Sequence, residues 1–143
     1  MNSTAIESVR EFNRFYTKVI GLLDKHLLDS PYSLPEARVL YELYHQQPCT
    51  ASAILTTVEM DKGYLSRVLA LFSRRGLLTK KKNKEDGRAT FLTLTAKGNS
   101  EFQKMNQASV EQVKAMTEML SLTQQIHLVA HMKAIQEILN TVK

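Results

Sequence analysis

Tryptophan is absent, cysteine occurs once, and aromatic residues make up only 7% of the 143-residue chain. With Cys49 alone, no intramolecular disulfide can form. Glycine occurs five times, and nowhere in the pattern of a phosphate-binding loop. A nucleophile elbow and a metalloprotease helix motif are missing as well. Glu85 and Asp86 are adjacent on what reads as a loop, poor ground for acid–base catalysis. The expectation is a protein that is not an enzyme, with no catalytic residue, cofactor or metal. No apolar run reaches the ~18 residues of a membrane span. The amphipathic, charged start from Met1 to Val19 lacks the continuous apolar centre of a signal peptide. By elimination, a reducing cytoplasmic setting is expected, with no membrane partner.

What is present is a hydrophobic fraction of 43% and a formal net charge of +5. The first is enough for a core, and the length fits one domain or one subunit of an oligomer. The charge is unevenly spread. From Arg74 to Arg88 seven basic side chains face two acidic ones, the whole net charge of the chain; outside that stretch the counts are 12 and 12. A solvated face is the plain explanation of such a run; a polyanionic partner is the other.

Hydrophobic periodicity predicts a mainly α fold with a small β-hairpin. Ile6, Val9, Phe12, Tyr16, Val19, Leu23 and Leu27 mark a long amphipathic helix that ends at Asp29-Ser30-Pro31. Ser33-Leu34-Pro35-Glu36 reads as a capping box opening a second helix that stops near Gln47-Pro48. Thr50 caps a short helix to about Val58, and Asp61 caps another from Lys62 to Arg75, closed by Gly76. Two short helices around a tight turn outline a helix-turn-helix. Leu77 to Lys82 and Ala89 to Thr95 then read as strands around a charged loop. That makes the hairpin a wing. Thr95 caps a long helix through Phe102, Met105, Val113 and Leu120, and Ser121-Leu122-Thr123-Gln124 opens the last. Residues 33–95 are thus expected to form a winged helix-turn-helix, and residues 1–30 and 96–143 long flanking helices. Their stripes exceed what so small a domain can cover. A second copy of the chain would cover them, placing two recognition helices about one DNA turn apart on a near-palindrome; an intramolecular bundle is the alternative.

At 100° per residue, Leu65, Val68, Leu69 and Phe72 cluster on one side of the Lys62–Arg75 helix, leaving Gly63, Arg67, Ala70 and Arg74 opposite. Small residues, cations and hydroxyls on that side suit a major groove. Arg67 is the candidate for a bidentate contact to guanine; Lys62, Tyr64 and Ser66 are equally suited to phosphates. An ordinary exposed face is the alternative. In the wing, Lys82, Lys84 and Arg88 lie nearest the tip, where an arginine can enter the narrow minor groove. Asp86 is placed to steady that guanidinium, or another, by a charge-assisted hydrogen bond.

At these residues the chain resembles a known family. Tyr64-Leu65-Ser66-Arg67-Val68-Leu69, Arg75-Gly76-Leu77-Leu78, Glu85-Asp86-Gly87-Arg88 and Leu94-Thr95-Ala96-Lys97-Gly98 resemble the MarR family of winged-helix repressors, over nearly the whole chain. The resemblance implies a homodimer built from the terminal helices, Gly63 to Arg67 in the major groove, Arg88 in the minor groove and Asp86 as the wing's supporting carboxylate. It also implies a small-molecule effector bound between the dimerisation helices and the winged helix, for which Phe12, Phe15, Tyr16 and Arg38 are candidate lining. The function implied is sequence-specific binding of double-stranded DNA by a transcription regulator, as an effector-responsive repressor. The segments Phe12-Asn13-Arg14-Phe15-Tyr16-Thr17, Gly21-Leu22-Leu23-Asp24 and Ser33 to Leu43 resemble modules fused to acetyltransferases. With the chain ending at Lys143, a free-standing relative or an isolated module is expected. The alternative function is therefore a regulatory or protein-interaction module of an acetyltransferase-associated system, with little DNA specificity.

Other candidates are weaker. His127 and His131 share a helix face at four-residue spacing, but no Cys or carboxylate cluster joins them to complete a zinc site. His26 and His45 are isolated. Cys49 precedes the helix-turn-helix, whereas peroxide-sensing relatives carry theirs in the first helix; a small semi-buried residue is the expectation.

Overall fold

In a computed structural model, which describes residues 1–26, 30–85 and 87–142, the chain runs α1 (Ser3–His26), α2 (Leu34–Gln46), α3 (Ala51–Thr57), α4 (Lys62–Arg74), β1 (Leu78–Lys82), β2 (Thr90–Leu94), α5 (Ala96–Thr117) and α6 (Leu122–Asn140). This is the mainly helical winged-helix architecture expected from the periodicity. Leu27 and Asp29, with which the first helix was expected to end, lie outside the described residues, as does Asp86.

Helix starts fall on the residues that can satisfy orphan amides. The Ser33 hydroxyl accepts from Glu36 N–H while the Glu36 carboxylate accepts from Ser33 N–H, a complete capping box. Thr50 accepts from Ala53 N–H at 3.2 Å and Asp61 from Tyr64 N–H at 3.0 Å. α4 stops at Arg74, and Gly76 follows with φ +75°. That left-handed turn lets Leu77 N–H close back on Phe72 O at 2.9 Å. The strands are accordingly shorter than the sequence pattern. Leu77 N–H closes α4, so β1 begins at Leu78. The Thr95 hydroxyl accepts from Gly98 N–H at 3.0 Å and opens α5, so β2 ends at Leu94.

The chain divides into two compact units, Met1–Ala108 and Ser109–Lys143. The core of the first is built from Val39, Leu40 and Leu43 of α2, Ile54 of α3, Leu65, Val68, Leu69 and Phe72 of α4, Leu77, the wing-base leucines 78, 92 and 94, and Phe102 of α5. β1 and β2 pair antiparallel with Leu78 opposite Leu94 and Lys82 opposite Thr90. Cys49 makes an isolated bridge to Leu92, extending the hairpin's inner edge. Apolar wing-base residues enter the core while the distal lysines stay exposed, so the hairpin is anchored at one end only.

Tyr32 joins two parts of this unit. Its ring meets Phe72 edge-on, with centroids 6.0 Å apart, and its hydroxyl donates to Glu101 Oε2 at 3.3 Å. Burial first, then the Glu101 charge and hydrogen bond, push its phenol up to about 12, with Arg75 pulling the other way. An unfolded tyrosine ionises near 10. The unfolded chain therefore loses its proton first, and stability present below pH 10 is lost as pH rises towards 12, by up to about 2 kcal/mol. Urea unfolding across pH 9–12 should show a shallower alkaline decline for Tyr32→Phe than for the wild type; parallel declines would contradict the assignment.

In the second unit, Ser121 and Gln124 form the other complete capping box. Gln125 Nε2 donates to Thr117 O at the end of α5 (3.4 Å) and to Leu120 O in the turn that follows (3.1 Å). α6 buries none of its residues in the single chain.

Candidate nucleic-acid interface

α4 presents its two sides as the helical period requires. Leu65, Val68, Leu69 and Phe72 are buried, while Lys62, Gly63, Ser66, Arg67 and Arg74 are exposed, and Tyr64 and Ala70 are half-buried. The Asp61 cap fixes where the helix begins and hence which of these residues come first. The Arg67 guanidinium carbon lies 5.9 Å from the centroid of the Tyr64 ring. Tyr64, equally suited by sequence to a phosphate, is thus also a platform that limits where the Arg67 fork can point. Arg74 shares the face, about two turns further along.

The wing carries Lys80, Lys81 and Lys82 along β1, all exposed. Its turn is held by Asn83 N–H on Ala89 O at 2.8 Å and by Glu85 N–H on Asn83 Oδ1 at 3.0 Å. Lys84 and Arg88 stand exposed on either side of that turn. The carboxylate assigned to support Arg88, Asp86, lies outside the described residues.

Two shallow clefts connect the helices to the wing. One of about 350 Å³ is lined by Thr50, Ala51, Ser52, Arg88, Ala89 and Thr90. A second of about 250 Å³ is lined by Ala51, Ser66, Leu69, Lys80, Thr90 and Leu92. Arg88 is thereby brought beside the start of α3, and Lys80 beside Ser66 of α4. Ser52 and Thr90 join this surface without any sign in the sequence, because their membership depends on how α3 meets β2. The surface carries lysine, arginine and hydroxyl groups around backbone that small residues leave accessible, the chemistry of phosphate and base-edge recognition.

Residues 30–89 match the model of the MarR family. The matched stretch takes in α2, α3, α4 and β1. No curated protein matches the chain. Among solved structures, the MarR-type fold is similar to that of AbsC, a MarR family transcriptional regulator from Streptomyces coelicolor, at 19% identity and a TM-score of 0.77, over 99% of this chain and 97% of that one. It is similar to the PcaV transcriptional regulator of the same organism, solved with its natural ligand, at 20% identity and 0.75, over 92% of each chain. It is also similar to BpsR of Bordetella bronchiseptica, whose DNA binding is regulated by 6-hydroxynicotinic acid, at 18% identity and 0.72, over 89% and 91%. These likenesses establish the fold, that of MarR-type transcription regulators.

The remaining sequence candidates fall elsewhere. Phe12 and Tyr16 stack on α1, with centroids 5.8 Å apart and planes 7° apart, and Phe15 is 62% exposed. Arg38 pairs with the buried Glu42 at 3.0 Å on α2. His127 and His131 are exposed on α6 with ring centroids 6.2 Å apart, and among the described residues they join no cluster that could hold a metal ion. Cys49 is more deeply placed than semi-buried, at 6% exposure, and burial pushes its thiol up, away from the reactive thiolate. Among the described residues no helix is long and apolar enough to cross a membrane.

Proposed function

We propose that the chain is a homodimeric, sequence-specific regulator that binds double-stranded DNA at a near-palindromic site, as a repressor released by a small-molecule effector. The outward face of α4 carries this reading: Gly63, Ser66, Arg67 and Arg74 are exposed while the opposite side of the same helix is sunk in the core. Lys62 and Tyr64 flank that face, and Lys82, Lys84 and Arg88 reach the backbone and minor groove from the wing, with Asp86 as the carboxylate that steadies the wing arginine. Residues 33–95 form the DNA-binding region of this scheme and residues 1–30 and 96–143 the dimerisation helices. The dimer is supported by apolar surface the single chain leaves open: Ile6, Val9, Phe12 and Phe15 on α1, and Leu122, Ile126, Val129, Ile135 and Leu139 on α6. Ligand-bound PcaV and the nicotinate-type control of BpsR support the effector as a small organic molecule. Phe12, Phe15, Tyr16 and Arg38 are its proposed contacts. A DNA partner places the protein in the cytoplasm.

Selection of bound duplexes from random DNA tests site and dimer together. The expected result is a near-palindrome with half-sites about one helical turn, roughly 34–36 Å, apart. Sequence-independent binding, unaltered by Arg67→Ala and by Arg88→Ala, would overturn the reading in favour of a protein-interaction module.

A further inference from the structure

The segment between α2 and α3 runs along the base of the wing and holds it at two points. The first is the backbone bridge, with Cys49 N–H on Leu92 O at 3.1 Å and Leu92 N–H on Cys49 O at 2.6 Å. The second is a side chain. Two residues along β2, Leu94 N–H donates to Gln47 Oε1 at 3.0 Å. The Nε2 of the same amide donates to Asn99 Oδ1 in the first turn of α5 at 3.0 Å and to Tyr44 O near the end of α2 at 3.2 Å. All of these groups are at least partly buried. One carboxamide therefore stands where a third strand would have supplied backbone partners, and it joins the wing to two helices.

We infer that Gln47 is a positioning residue for the wing: it sets the angle at which the hairpin leaves the core, and so where Arg88 meets DNA. The inference rests on the DNA-binding reading above and adds to it a residue remote from the interface. The geometry makes the wing a lever. Arg88 lies six residues before Leu94, about 20 Å of chain at ~3.3 Å per residue. A tilt of 10° at the base then displaces the tip by about 3 Å, more than the latitude of a hydrogen bond. The core leucines and the bridge at Cys49 seat the base of the hairpin; the Gln47 amide, two residues nearer the base, adds the side-chain tie that fixes its angle to α2 and α5. Its bonds go to Tyr44, Leu94 and Asn99, so its loss acts on the wing and leaves the α4 surface in place.

The test is a set of binding curves, by fluorescence anisotropy, on the duplex that the wild-type protein selects, run below the melting temperature of every variant. Gln47→Ala is expected to weaken binding about tenfold, and to add less than about twofold when Arg88→Ala is already present, since coupled residues lose their effect together. Asn99→Asp, whose carboxylate still accepts from Nε2, should bind within about twofold of wild type, while Asn99→Leu falls to the level of Gln47→Ala. A general loss of stability would weaken binding equally in both backgrounds. The inference is overturned if Gln47→Ala binds like wild type, or if its factor is the same with and without Arg88. If Arg88→Ala itself binds like wild type, the wing–DNA reading falls, and the inference with it.

Discussion

Replacing Arg67 with alanine is expected to cost about 1–3 kcal/mol of binding per half-site on the preferred duplex, and to relax selection at one base pair in each half. Arg67 sits on the face of α4 opposite Leu65, Val68, Leu69 and Phe72, with its guanidinium against the Tyr64 ring. A planar fork held over an aromatic face is suited to the two acceptors of guanine in the major groove. Arg67→Lys should fail to restore selection, because an ammonium supplies charge without the fork. The wing lysines should behave differently. Lys82→Ala and Lys84→Ala are expected to weaken all sequences alike and to lower the salt slope of binding by about 0.9 for each phosphate contact removed. Measured against single-base variants of the preferred site at several salt concentrations, the two kinds of variant separate. Uniform weakening by Arg67→Ala, with selection intact, would assign Arg67 to phosphate and leave base reading to other residues.

Gly98→Ala is expected to destabilise the fold by about 3 kcal/mol or more, a drop in melting temperature of roughly 10 °C. A Cβ at this position would collide with the Leu77 carbonyl oxygen and lie 3.1 Å from the Leu77 carbonyl carbon and 3.2 Å from Leu94 Cβ. That oxygen has no freedom to withdraw: it accepts from Thr95 N–H at 2.9 Å. Retreat of α5 would strain the bond from the Thr95 hydroxyl to Gly76 O at 2.7 Å and from Lys97 Nζ to Arg75 O at 2.9 Å. The close approach thus latches α5 to the end of α4 and the start of the wing. Gly21 provides the contrast. It is exposed within α1 and an added Cβ would meet nothing within 4 Å. Gly21→Ala should raise stability by up to about 1 kcal/mol through helix propensity. Equal melting temperatures for Gly98→Ala and the wild type would show that α5 does not pack against Leu77 as described.

The positions of the helices were legible because their signals are short-range. Ser33, Thr50, Asp61 and Ser121 cap through amides three residues away, and Gly76 closes α4 through its own φ. A single sequence carries such information complete. The outward face of α4 was legible for a similar reason: four large apolar residues at helical spacing leave one place for Arg67. The charge of the wing, too, is a property of the chain order alone.

The contacts that hold the candidate surface together were not legible. Tyr32 meets Glu101 across 69 residues, and Gln47 reaches Asn99 across 52. Nothing local marks Gln47 as a clip or Cys49 as a strand partner, because both roles exist only once β2 lies alongside them. Gly98 was visible as part of a motif, yet its reason, the Leu77 carbonyl, belongs to another element. The sequence by itself determined the element order, the caps, the basic hairpin and the outward face of α4, all set by interactions within a turn or by side-chain period. Only the tertiary structure decided how the wing is anchored, which hydroxyls join Arg88 and Lys80 at the clefts, and that the lone cysteine is buried, since each depends on which distant backbones come within hydrogen-bonding distance.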